Sequence, residues 1–102
     1  MKSHAVIDAR GLRLAREIAA RIDADPARAG LVRARQVCAR WRAAGVPGAA
    51  EWQSLLEEEW ANVRRRLLSD DEDGCRLRQN SPFCGILSPR ERWKIFKEFP
   101  AL

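Results

Sequence analysis

Tyrosine is absent from this chain, histidine occurs once, cysteine and lysine three times each, and no apolar run approaches the roughly 18 residues of a membrane-spanning helix. Each shortage excludes something. Without the long run there is no helical membrane anchor in the sequence, and with Lys2, Asp8, Arg10 and Arg13 breaking its start it does not fit a secretory leader. One histidine, His4, leaves no Ser-His-Asp set, and with only three widely spaced cysteines there is no four-ligand zinc pattern. Cys38, Cys75 and Cys84 are odd in number and far apart, unlike a secreted disulfide framework, so free thiols in a bacterial cytoplasm are expected. Cys38 falls among the apolar positions of a helix and reads as a small core residue.

The catalytic patterns are missing too. Gly45-Val46-Pro47-Gly48 lacks the Lys-Ser/Thr of a phosphate loop, and Cys84 has no histidine to activate it. Glu57, Glu58 and Glu59, and the acidic run Asp70 to Asp73, are contiguous, so helical geometry splays rather than converges them. They read as capping and solubility groups. The expectation is a non-enzyme without cofactor or metal.

What is present is enough for one core. The 102 residues are 46% apolar and include four Trp and three Phe, which argues against disorder and for a single helical domain over residues 1–102. Strand-type alternation is not found, and the periodicity predicts a compact all-α fold of about five helices. Ile7, Leu14, Ile18 and Ile22 mark the first, over residues 3–23. Asp25-Pro26 reads as the cap and first turn of a second, with Leu31, Ala34, Cys38 and Trp41 inward. Gly45, Pro47 and Gly48 end it. Trp52, Leu55, Leu56, Trp60, Val63 and Leu67 form the strongest stripe and predict one third helix over residues 49–68. Ser69 through Glu72 has the capping-box pattern for a fourth, and Ser88-Pro89-Arg90-Glu91 for a last one reaching Glu98, with Trp93 and Phe96 among its apolar positions.

The net charge of +5 rests on sixteen arginines, a bias that suits phosphate contact or follows from the codon usage of a GC-rich bacterium. Arg33, Arg40, Arg42, Arg64, Arg65 and Arg66 are the candidate phosphate contacts, although those of the second helix share no single stripe. A helix-turn-helix fits poorly, because at the start of the third helix Gln53 alone offers a side chain suited to base edges.

The least generic stretch runs from Arg76 to Trp93, where Phe83, Ile86 and Leu87 fall in a loop between a helix end and a capped helix. Two readings of it stand open. Either these side chains plug the base of the domain, or Phe83, Arg90, Arg92 and Trp93 form a partner-binding surface of the aromatic and arginine type common in interfaces. Leu77-Arg78-Gln79, Ser81-Pro82-Phe83, Gly85 with Leu87, and Pro89 with Arg92-Trp93 together resemble a pattern in small bacterial proteins, some of them antitoxin-like. Asn80 and Cys84 depart from it, and the likeness spans the last half of the chain. The resemblance implies a small regulatory partner and no reaction. The expectation is therefore a protein-interaction module, antitoxin-like, that neutralises a cognate toxin. An arginine-rich nucleic-acid-binding regulator is the alternative.

Overall fold

Among the described residues, six α-helices follow in sequence: α1 Lys2–Asp23, α2 Ala29–Ala43, α3 Ala49–Leu55, α4 Trp60–Leu67, α5 Glu72–Gln79 and α6 Pro89–Phe96. The computed structural model describes residues 2–99, with side chains from residue 5 onward; His4 lies outside the described side chains. The all-α expectation holds, with one helix more because the third is divided.

The first turnaround shows how local chemistry sets a boundary. The Asp25 carboxylate accepts hydrogen bonds from the Ala27 and Ala29 backbone N–H groups at 3.0 and 2.8 Å. Arg28 adopts a left-handed conformation, φ 52°, and its guanidinium donates to the Ile22 and Asp23 carbonyls at 2.7 and 3.0 Å. Those carbonyls end α1 and lack helical partners of their own. Arg28 thus closes one helix while its backbone reverses the chain, so α2 starts at Ala29 rather than at Pro26.

The long stripe from Trp52 to Leu67 splits at Leu56–Glu59. Two contacts with other elements flank the break, one of them to a backbone carbonyl. Arg35 Nε donates to the Leu56 carbonyl at 2.8 Å, and the Trp60 indole N–H donates to Asp23 Oδ1 at 2.8 Å, pinning α4 to the end of α1. The N–H groups of Glu57 and Glu58 reach back only three residues, a tightened last turn before the three successive glutamates. The division lets both halves of the stripe reach the core from different directions.

At α5 the cap is Asp71, which accepts from the Gly74 N–H at 2.8 Å, two residues later than the Ser69 expected. At α6 the expected capping box is present: Glu91 N–H donates to Ser88 Oγ at 3.2 Å, and Ser88 N–H to Glu91 Oε1 at 2.8 Å. The helix ends at Phe96, short of Glu98.

One apolar cluster joins the helices, with Ile22, Leu31, Cys38, Trp52, Val63, Leu67, Leu77 and Phe83 among its members. Trp52 is 1% exposed and its indole N–H donates to the Leu77 carbonyl at 3.0 Å, so the ring removes roughly 200 Å² from water without stranding its polar atom, about 5 kcal/mol of gross burial. No charged or polar residue among those described is fully buried, and no buried side-chain nitrogen or oxygen lacks a partner.

Candidate interaction surface

The surface begins with how α6 is held. Ile95 turns inward and is buried. Glu91, already bonded to the Ser88 N–H, also pairs with Arg21 of α1, and Glu98, just past the helix, pairs with Arg13 of α1 at 3.2 Å. Both carboxylates of this segment therefore face α1. Arg90, Trp93, Lys94 and Lys97 follow at helical spacing on the outer side, all exposed. Trp93 is 59% exposed, the most exposed large apolar residue described. The Lys97 ammonium lies 5.8 Å from the Trp93 ring centroid, a cation–π contact four residues apart. Arg92, on the flank toward the 81–87 loop, lies 5.9 Å from the Phe96 ring, whose centroid Arg10 approaches at 4.4 Å. Among the described residues, none of Arg90, Arg92, Lys94 and Lys97 has a carboxylate within 4.0 Å. Lys94 and Lys97 were not among the residues chosen from sequence. The i, i+4, i+7 spacing of 90, 94 and 97 was the signal available.

Phe83 belongs elsewhere. It is 1% exposed, its ring 5.8 Å from that of Trp52 at 74° and 6.3 Å from that of Trp60. Pro82 and Leu87 are buried with it, and Ile86 is half-buried. Of the two readings of this loop, the structure shows the plug, and Phe83 is removed from the surface anchors because core packing has consumed its faces. The loop turns at Gly85, whose φ of 85° disfavours any side chain. A cleft of about 210 Å³ remains between this loop, α1 and α6, and Arg92 stands on its wall.

Trp93, one of the apolar positions of its helix and one of the four candidate surface residues, lies on the outside with Arg90 and Arg92, and Ile95 takes the inward place in the orientation that the pairings of Glu91 and Glu98 give α6.

The six arginines of the nucleic-acid alternative are not gathered. Arg64 pairs with Asp23 at 3.0 Å, Arg66 meets Asp73 at 3.9 Å, and Arg42 donates to Gln53 at 2.9 Å. Arg33, Arg40 and Arg65 are exposed and have no carboxylate partner among the described residues.

Two pairings outside this surface perturb acids. The Trp60 indole and the Arg64 guanidinium together hold the Asp23 carboxyl below its usual range. The bidentate contact of Arg76, at 2.6 and 2.9 Å, does the same for Glu51. Burial pushes the Cys38 thiol up, while Cys75 is half-buried and Cys84 exposed. Among the described residues, no group of three or more His, Cys, Asp or Glu side chains converges to hold a metal ion, and no helix is long and apolar enough to cross a membrane.

Comparison with models of protein families, with curated proteins and with solved structures gives no match for this chain.

Proposed function

We propose that the chain is a non-catalytic protein-interaction module, antitoxin-like, whose outer α6 face docks an acidic cognate partner and masks that partner's working surface. The carrying observation is Trp93, 59% exposed amid Arg90, Lys94 and Lys97, none of which has a carboxylate within 4.0 Å among the described residues. A tryptophan so placed adds little to folding, and tryptophan and arginine are among the residue types enriched in binding hot spots. The surrounding cations would accelerate encounter with an acidic surface and select against basic ones. The unpaired thiols suit a reducing cytoplasm, and the resemblance in the last half of the chain suits a bacterial host.

Co-expression with the product of the adjacent reading frame, followed by calorimetry, tests the reading. A 1:1 complex tighter than about 100 nM is expected, weakened at least a hundredfold by Trp93→Ala combined with Arg90→Glu. No complex at micromolar concentrations, or one indifferent to those substitutions, rejects it. A titration against duplex DNA decides the rival reading. If affinity falls steeply with salt and depends on Arg33, Arg40 and Arg65, the function passes to nucleic acid.

A further inference from the structure

The side of α1 that lines the cleft presents Gly11, Leu14, Ala15 and Ile18, an i, i+3, i+4, i+7 stripe. At its first position the side chain is missing. A Cβ built on Gly11 meets nothing within 4 Å, and its φ lies outside the left-handed region. The other five glycines are each required: Gly45, Gly48 and Gly85 have positive φ, while a Cβ on Gly30 presses on Ile22 and one on Gly74 collides with the Ser69 carbonyl. Gly11 has neither reason, and a glycine inside a helix lowers its stability. It stands on the wall of the cleft, where a longer side chain would have room to extend.

That cleft has a definite chemistry. Leu14 and Ile18, half-buried, give it an apolar wall, with Phe83 and Leu87 closing its floor almost fully buried, and no Asp or Glu lines it. Of its two arginines, Arg78 is spent on the Leu67 and Ser69 carbonyls, whereas Arg92 has no carboxylate partner among the described residues. At about 210 Å³ it is smaller than ordinary small-molecule sites. Those run from roughly 300 to 1,000 Å³. It exceeds the roughly 150 Å³ of an apolar cavity that accepts benzene. One aromatic ring or branched side chain fits.

We propose that this cleft, kept open by Gly11, seats a single aromatic or branched apolar side chain of the acidic partner, with Arg92 receiving a carboxylate beside it. The proposal rests on the docking reading of α6 and deepens it, since Arg92 is shared by the cleft and by the helix that carries Trp93.

The probes are 3-phenylpropionate and its uncharged amide, titrated into the full chain by amide NMR. Saturating shifts at Gln79, Gly85 and Arg92 are expected, with a dissociation constant on the order of 1 mM for so small a ligand. The carboxylate should bind roughly fivefold tighter than the amide, and Arg92→Gln should abolish that difference. Gly11→Leu should remove binding of both while melting several degrees higher. Gly11→Ala should also melt higher yet still bind, because it leaves most of the space. No saturable shift in the wild type, or binding that survives Gly11→Leu, overturns the proposal. Equal loss in Gly11→Ala overturns the steric argument by pointing to helix rigidity. With the partner itself, a complex lost in Trp93→Ala but intact in Gly11→Leu overturns the cleft and leaves the α6 reading standing. Absence of any complex overturns the α6 reading, and the fragment titration still decides the cleft.

Discussion

Phe83→Ala discriminates most sharply between a plug and an anchor at the most distinctive segment of the chain. The ring is 1% exposed and lies edge-on to Trp52 and tilted against Trp60. Truncation removes a phenyl group with its transfer free energy and leaves a cavity between two indoles that are held elsewhere, Trp52 through Leu77 and Trp60 through Asp23. Since those tethers limit collapse, the cost belongs in the middle of the range for such substitutions, about 4 kcal/mol. Small domains have a total stability of only about 5–15 kcal/mol. The melting temperature should fall by roughly 20 °C. With a urea slope near 1.3 kcal/mol/M, the midpoint should fall by about 3 M. Tryptophan fluorescence during urea unfolding reads the change, because both neighbouring indoles report on the site. Phe83→Leu, which refills part of the space, should cost about 1.5 kcal/mol. A loss below about 1 kcal/mol for Phe83→Ala, accompanied by weakened partner binding, would refute the burial argument and restore Phe83 to the surface.

Three further outcomes are expected. Asp23→Asn should cost about 1 kcal/mol near neutral pH, a figure kept small because Asp23 and Arg64 are substantially exposed. Trp60 and then Arg64 depress the Asp23 carboxyl in the folded state, so its contribution is complete above the unfolded value and lost as pH falls through the folded one. The gap between wild type and variant in denaturant melts should therefore close on acidification below about pH 4, and a constant gap rejects the assignment. A thiol reagent under native conditions should label Cys84 first, Cys75 more slowly and Cys38 only on unfolding; prompt labelling of Cys38 would contradict its complete burial. Trp93→Ala alone should change stability by less than about 0.5 kcal/mol, and a loss above about 2 kcal/mol would show that the ring packs in solution.

The parts of the fold that were legible from sequence depend on neighbours within one helix turn. The capping box at Ser88 and Glu91 and the inward positions Leu31, Ala34 and Cys38 need only local spacing and are present, whereas Trp41, expected with them, is half-buried and Val37 is buried beside them. The errors share a cause: a distant side chain completes the backbone. Arg28 closes α1 and delays α2, Arg35 donates to the Leu56 carbonyl at the end of α3 in place of a continuing helix, and Trp60 anchors the new start to Asp23. Periodicity cannot register such contacts, because Trp52 through Leu67 keeps its helical rhythm across the break. Phe83 posed the same difficulty. An apolar residue in a loop is compatible with either environment until the indoles that enclose it are placed.

The α6 surface was half legible, and the missing half explains why net charge is a poor guide. Counting gives +5 for the whole chain and says nothing of distribution. In the structure the two acids of this segment, Glu91 and Glu98, are turned onto Arg21 and Arg13, so they fasten α6 to α1 and form no ion pair with its outer cations. A helix whose task was only to cover the core would lose nothing by carrying acids on its outer stripe as well, and would lower the self-repulsion of a basic chain. Here positions 90, 94 and 97 are all basic, with Trp93 between them. The same segregation separates this surface from the arginines of α2 and α4, where Asp23, Asp73 and Gln53 occupy three of the six groups. Charge left unpaired beside an exposed ring, with pairing available a turn away and used for another purpose, favours a partner that supplies the missing acids.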